Sequence, residues 1–252
     1  MQHRWTLPAA LPARFLVLTM IAFAVASPAL AQDITISMGD DGSIATRSIQ
    51  LMVLVTLLSL VPGLAIMITC FPFIVTVLSI LRQAIGLQQS PPNMLIVSLA
   101  LFLTYFVMEP VFTEAWTRGA EPFSAGTMEL ETAFMEALEP FRVFMANRID
   151  PETFYNMASL REDLGGIQPD AKAPLSLLVP SFLLSEIARA FQIGFLVFLP
   201  FLIIDLVVAA ILMSMGMMMV PPAIVSLPFK LAFFVVADGW SLISGALVRS
   251  YF

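Results

Sequence analysis

Three ionisable side chains, Asp205, Lys230 and Asp238, lie in a long and predominantly apolar segment, Phe191 to Trp240. A lone charge in such surroundings costs several kcal/mol, so Asp205 and Lys230 are expected to pair. A pair within one chain would join two helices, whereas a pair between chains would fix the register of an oligomer, and the sequence leaves both open. Proton transfer by Asp205 is the alternative, although no second carboxylate or histidine lies at close helical spacing to continue a relay.

A second charged pair precedes this segment. Glu186 and Arg189 are three residues apart in apolar sequence. That spacing places both side chains on one face of a helix, where they can neutralise each other. The sequence therefore predicts a local ion pair between them.

Methionines cluster at the centre of the same segment, at Met217, Met218 and Met219, just before Pro221-Pro222. Proline breaks a helix, so these thioethers are expected on an irregular turn between two apolar helices. Methionine often fills gaps in a core, but three consecutive side chains cannot all point into one seam between helices. We therefore predict a deformable apolar constriction, which would close a pore if several subunits formed a ring.

Enzyme chemistry has little support in the sequence. Asp205 and Asp238 lack the Gly-x-Gly-Asp context of an intramembrane aspartyl protease. Ser226 and Lys230 have the spacing of a Ser–Lys dyad, but a serine on an apolar helix usually serves packing. The one histidine, His3, precedes the first apolar run, and no phosphate-binding loop, Cys-x-x-Cys pair or basic stripe is present. We expect no catalytic residues, no metal, no cofactor and no nucleic acid.

The composition, 59% hydrophobic, is typical of an integral membrane protein. Several apolar blocks approach the length of about 20 residues that spans a bilayer as a helix. The predicted class is all-α, with helical hairpins made of about four long hydrophobic helices. Their approximate limits are 49–80, kinked at Pro62-Gly63 and Pro72, then 94–112, 180–215, bent near Pro200, and 223–249.

The first residues have the pattern of a cleavable secretory signal. Arg4 and Arg14 precede an apolar run, which is followed by the small-residue sequence Ala29-Leu30-Ala31. We predict a signal peptide over residues 1–31, cleaved between Ala31 and Gln32. An uncleaved first membrane helix is the alternative.

Further boundaries follow from composition: a polar segment 32–48, a first hydrophobic hairpin 49–112, an acidic segment 113–173 and a second hairpin 174–252. The acidic segment holds eleven acidic and five basic residues. It contains a predicted amphipathic helix, 124–147, with an apolar stripe formed by Leu130, Phe134, Leu138, Phe141 and Met145. The acidic face is either a solvated surface or a binding patch. The distribution of basic residues between the loops places Arg82 on the cytoplasmic side of the membrane and the acidic segment on the opposite side.

Three long strings carry a family resemblance: 71–93 (FPFIVTVLSILRQAIGLQQSPPN), 99–111 (LALFLTYFVMEPV) and 178–240, which includes MSMGMMMVPPAIVSLPFK. They closely resemble the FliP family of bacterial flagellar biosynthesis proteins. The resemblance covers the chain from about Ile49 to its end, apart from the acidic segment.

The resemblance implies a subunit of the flagellar type III protein export gate. It implies several copies, five in the family, that assemble with FliQ and FliR into a ring-like channel for unfolded flagellar subunits. The location implied is the bacterial inner membrane at the flagellar basal body, with the helices largely at the periplasmic level and in contact with lipid. By the same resemblance Met217, Met218 and Met219 form a gasket, and Asp205 with Lys230 forms an inter-subunit charge pair.

Two alternatives come from other classes. A virulence-type injectisome uses a similar subunit, generally without a cleavable signal, so the leader before Gln32 favours the flagellar system. An ion-coupled transporter would use Asp205 as a proton carrier, and an internal repeat would support it. The two halves of the sequence instead differ in loop chemistry and in the placement of proline.

Overall fold

The computed structural model describes residues 44–87, 91–217 and 219–252. The chain divides into two compact units, Met1–Met52 and Val53–Phe252. The contacts of the second unit position every candidate site residue that the structure describes. The predicted signal peptide and its cleavage site, Ala31 and Gln32, lie outside the described residues.

All regular secondary structure among the described residues is helical, so the predicted all-α class is confirmed. A π-helical turn, Trp116–Ala120, and a 3-10 turn, Glu162–Leu164, lie between α-helices. The α-helices are α1 (Ile44–Met67), α2 (Phe71–Ile85), α3 (Asn93–Ala115), α4 (Glu121–Ser124), α5 (Leu130–Arg148), α6 (Pro151–Ser159), α7 (Leu175–Ser214), α8 (Pro222–Val236) and α9 (Gly239–Arg249).

The first hydrophobic block differs from the prediction of one kinked helix. It forms two helices, α1 and α2, separated by residues 68–70. Pro72 lies in the first turn of α2, where its missing N–H leaves no helical hydrogen bond unmade. In one continuous helix the same proline would remove a hydrogen bond. Pro62, by contrast, lies inside α1 without ending it.

The apolar helices differ in whether they could cross a membrane. Two continuous helical stretches qualify by length and composition among the described residues, Asn93–Ser124 and Leu175–Ser214. A third span exists only if α8 and α9, which meet at an angle of 61°, are one broken span. At about 1.5 Å per residue, the 40 residues of α7 exceed the hydrocarbon thickness of a bilayer, so this helix extends well beyond it.

The predicted single helix over 223–249 is broken at Ala237–Asp238. Asp238 adopts a left-handed conformation with φ of 47°, which aspartate tolerates better than most residues. The following Gly239 lies so close to Phe234 that an added Cβ would meet its ring at 2.2 Å. Asp238, which the sequence presents as a third charge in an apolar helix, therefore lies at a sharp corner between two helices.

Helix α2 forms the centre of the main core. Seven of its fifteen residues are buried, and they pack mainly against α7, α3 and α8. Cys70 at its start is fully buried, and burial raises the pKa of its thiol to about 12. This cysteine is therefore a packed and unreactive thiol.

A second core joins α5 and α6 to the beginning of α7, around Met145, Phe154 and Phe182. The predicted amphipathic helix starts later than expected, at Leu130, and only one end of its apolar stripe is covered. Met145 is buried and Phe141 packs on Phe112, whereas Leu130 and Phe134 are largely exposed. The spacing therefore identified the helix but not the extent of its contact.

The π-helical turn brings Gly119 unusually close to α5. A Cβ at this position would lie 2.4 Å from the carbonyl oxygen of Ala133 and 2.6 Å from the Cβ of Ala137. Backbone cannot move aside as a flexible side chain can, so Gly119→Ala should lower the free energy of unfolding by about 1–3 kcal/mol. Thermal unfolding of the detergent-solubilised protein measures this effect.

Gly63→Ala is the matched control, because nothing lies within 4 Å of the Cβ that it would add inside α1. Alanine in a helix interior is favoured over glycine by about 0.5–1 kcal/mol, so this variant should be at least as stable as the parent. A Gly119→Ala protein with unchanged unfolding would contradict the close approach of the two helices.

Candidate functional site at the methionine turn and the buried charges

Asp205 on α7 and Lys230 on α8 form an ion pair, with 2.6 Å between Asp205 Oδ2 and Lys230 Nζ. The lysine side chain is 7% exposed and the aspartate 31%. Lys230 Nζ also donates to the carbonyl of Ala84 at 3.1 Å, and the Ser226 hydroxyl donates to Asp205 Oδ1 at 2.5 Å. These contacts connect α2, α7 and α8 through one polar network in an apolar core.

The two residues thus meet within one chain, as one of the two arrangements predicted from the sequence. The pairing between subunits implied by the family resemblance stays a prediction. Ser226, four residues before Lys230, donates its proton to Asp205. That contact gives the serine a structural role in the network.

The methionine turn connects α7 to α8. It begins with a glycine cap: Gly216 has φ of 73°, its N–H donates to Met213, and the N–H of Met217 donates to Leu212. These two bonds close the end of α7 in a Schellman arrangement, which directs the chain out of the helix. Pro221 and Pro222 then begin α8, as expected for proline at a helix start.

The methionine side chains that the structure describes on this turn are exposed. Met219 is 97% exposed and Met217 41%, whereas Met218 lies outside the described residues. Flexible thioethers held at a turn between two apolar helices can change rotamer without disturbing a core. The structure therefore places Met217 and Met219 where they can contact another molecule.

An apolar cavity of about 500 Å³ lies beside this turn, between the end of α7 and the start of α8. Its walls include Val207, Ile211, Met215 and Phe229. All of its lining residues are apolar, so it offers no group that would orient a polar cofactor or substrate. In the described part of the chain, no group of three or more His, Cys, Asp or Glu residues is placed to hold a metal ion.

Glu186 on α7 has nearer partners than the one predicted for it. Its carboxylate is 0% exposed, and Arg148 at the end of α5 approaches Oε1 with Nη2 at 3.0 Å and Nε at 3.1 Å. Arg189, which is 37% exposed, stands at 4.0 Å. The predicted local pair is therefore an outer contact, and the principal partner is 38 residues away along the chain.

The end of the chain completes this buried cluster. Tyr251 donates its hydroxyl proton to Glu186 Oε2, and Arg148 Nη1 donates to the carbonyl of Ser250 at 2.8 Å. The guanidinium of Arg148 also lies 4.0 Å from the centre of the Tyr251 ring, as a cation–π contact. Burial is the largest cause that raises the pKa of Tyr251, and the nearby carboxylate of Glu186 raises it further. The hydroxyl therefore remains a donor.

Spacing alone identified Asp205, Lys230 and the methionine turn, but it missed Arg148 and Tyr251. Arg148 is one of five basic residues in the acidic segment and looks like a surface charge there. The available signal was indirect: an apolar helix that buries Glu186 requires a cation from elsewhere in the fold.

Comparisons with known proteins find the same family over most of the chain. The model of the FliP family matches residues 54–247. A flagellar biosynthetic protein FliP from Caulobacter vibrioides is 48% identical, over 93% of this chain and 89% of that protein. Proteins of the same name from Agrobacterium fabrum and Bacillus subtilis are 45% and 43% identical, over 94% and 86% of this chain and 99% and 98% of theirs.

Proposed function

Because the chain belongs to the FliP family, we propose that it is a subunit of the flagellar type III protein export gate. The observation that carries the proposal is the extent of the match. Residues 54–247 include the helices α2, α3, α7 and α8, the methionine turn and both buried ion pairs. The match therefore covers the whole arrangement of apolar helices, methionine turn and buried charges, and not one short motif.

The gate is a channel formed by several copies of this chain, five by family resemblance, together with FliQ and FliR. Unfolded flagellar subunits pass through it across the inner membrane. Large apolar side chains exposed along α7, such as Phe191, Phe195 and Leu206, support this proposal because they require lipid or protein to cover them.

The mass of the complex purified in mild detergent tests whether several copies of the chain assemble into a channel. A ring requires a particle that contains several copies of the chain. A monomer or dimer would instead favour the ion-coupled transporter, in which Asp205 carries protons. Particles extracted under conditions that preserve the complex should also contain FliQ and FliR.

In this gate Met217, Met218 and Met219 form the closing gasket. The exposure of Met217 and Met219 on a turn between two apolar helices supports this role. An apolar constriction blocks water and ions by dewetting, and unbranched thioethers can yield to an extended polypeptide. In this proposal the gasket acts by filling and clearing an aperture, which requires no catalytic residue.

Replacing all three methionines by alanine should raise the leak of ions and small solutes through an assembled gate. Alanine widens the aperture and loses the contacts of the thioethers. Leucine replacements should seal comparably, but branched side chains repack less freely and should slow export. Membrane conductance or small-solute sensitivity of cells expressing each variant measures the leak, with assembly checked in parallel. An assembled triple-alanine gate as tight as the parent would assign the methionines to ordinary packing.

The mature chain begins at Gln32, after removal of residues 1–31, and its new N-terminus and the acidic segment 113–173 lie on the periplasmic side. Ala29 and Ala31 supply the small side chains that a signal peptidase accepts. N-terminal sequencing of membrane-extracted protein should therefore start at or next to Gln32. Recovery of an intact Met1 would overturn the cleavage and, with it, the periplasmic N-terminus.

A further inference from the structure

Helix α9 is attached to the rest of the fold mainly at its two ends. Of its eleven residues, Gly239 and Leu247 are buried. At the beginning of the helix, Gly239 packs against the ring of Phe234, and near its end Leu247 enters the main core. Between these two points Ile243 is partly buried and Leu242 is exposed, so the middle of α9 is held less firmly than its ends.

The corner before α9 has the features of a hinge. Asp238 is left-handed, with φ of 47°, and α8 and α9 meet there at 61°. Residues 235–238 are all exposed. A hinge consists of a few residues at the ends of elements that absorb a change in φ and ψ. This corner can make such a change without disturbing a core.

Tyr251, two residues after α9, fastens this helix to three others. Its ring contacts Phe73 of α2 and Phe144 of α5, with ring centres 5.6 and 6.0 Å away. Its hydroxyl donates to Glu186 of α7, and the guanidinium of Arg148 lies 4.0 Å from the ring centre. One side chain therefore joins the far end of α9 to α2, α5 and α7.

The groups that Tyr251 contacts are buried. The side chain of Glu186 is 0% exposed and that of Arg148 13%, and such a pair is stronger when water is excluded. Cys70, one turn before Phe73 at the start of α2, is also fully buried. Burial is the main cause that raises the pKa of the Cys70 thiol, and the charge of Glu186 raises it further. The thiol therefore lies within electrostatic reach of the same cluster.

We propose that residues 239–251, α9 with Tyr251 after it, form a strap that turns about the corner with α8 and closes over the buried Arg148–Glu186 pair. Opening of the strap admits water to this pair and to Cys70. The ion pair between α7 and α8 lies elsewhere and stays intact, so the opening is local. All of these contacts lie within one chain, so the proposal depends neither on the export function nor on what covers the outer surface.

Cys70, the single cysteine of the chain, reports the opening of the strap. The full-length chain in mild detergent is treated with N-ethylmaleimide, and mass spectrometry follows the rate of modification at Cys70. Tyr251→Ala removes a hydrogen bond to a charged group together with the ring contacts, so it should raise this rate about tenfold or more. Tyr251→Phe keeps the ring without the donor, and its rate should lie between those of the parent and Tyr251→Ala.

Phe252→Ala is the matched control, because this neighbouring ring is 78% exposed. It should be modified at the rate of the parent. Hydrogen exchange separates local opening from general unfolding: in Tyr251→Ala the amides of α9 and of the end of α5 should lose protection, while those of α8 keep it. Modification of Tyr251→Ala at the parent's rate would overturn the proposal. So would equally fast modification of Phe252→Ala, or an equal loss of amide protection in α8.

Discussion

Replacing Asp205 by asparagine should destabilise the protein by about 3–5 kcal/mol, because it leaves the buried ammonium of Lys230 without its counter-charge. Asparagine keeps the size of the side chain and can still accept from Ser226, so the loss is one of charge. Lys230 would retain only the carbonyl of Ala84 as a partner at 3.1 Å. The core formed by α2, α7 and α8 should loosen, and the amount of assembled gate should therefore fall. Thermal unfolding in detergent and the amount of assembled complex measure the two effects.

The double variant Asp205→Asn/Lys230→Met is the control that separates charge from packing. Removing both charges replaces an unpaired ion with an apolar contact, which is often close to neutral in stability. The double variant should therefore recover most of the stability lost by Asp205→Asn. Normal stability and assembly of Asp205→Asn would show that the pair is dispensable.

Replacing Arg148 by methionine should have an effect of similar size, about 3–5 kcal/mol, because Glu186 is fully buried and would lose its principal cation. The same change removes the hydrogen bond to Ser250 and the contact with the Tyr251 ring. The chain terminus should separate from α5 and α7. Thermal unfolding and proteolysis of the C-terminus measure the two consequences.

Arg189→Met is the matched comparison. Arg189 is 37% exposed and stands 4.0 Å from the same carboxylate, at the limit of an ion pair, so its removal should cost less than about 1 kcal/mol. Equal destabilisation by the two replacements would contradict the assignment of Arg148 as the principal partner. Arg148→Lys should lie between them, because a lysine keeps the charge but not the planar fork that reaches both Glu186 and Ser250.

Local sequence predicted the parts of this molecule that depend on local chemistry. The two prolines after the run of methionines start α8 as predicted, whereas α7 ends before the methionines, at the cap formed by Gly216. A single acid and a single base in adjoining apolar helices have few partners other than each other, and Asp205 and Lys230 do meet.

Other features depend on contacts that spacing does not encode. Glu186 has a possible partner three residues away, yet the fold brings Arg148 closer from another helix. The corner at Asp238 depends on a left-handed residue and on a glycine packed against Phe234. The apolar pattern of α5 marks which side is hydrophobic but not how far a neighbour covers it.

Long ordered strings carry more information than any of these local patterns. The resemblance to the FliP family rests on agreement over both hydrophobic regions, which includes positions whose contacts are distant in the chain. That is why the family could be identified from the sequence while the partners of Glu186 could not.

The most direct measurement of the central claim is the secretion of flagellar rod, hook and filament subunits by cells from which this chain has been deleted. Export of these proteins into the medium should stop, intracellular pools of the same subunits should persist, and expression of the full-length chain should restore secretion. Flagellar subunits that continue to leave cells lacking this chain would contradict its role in the export gate.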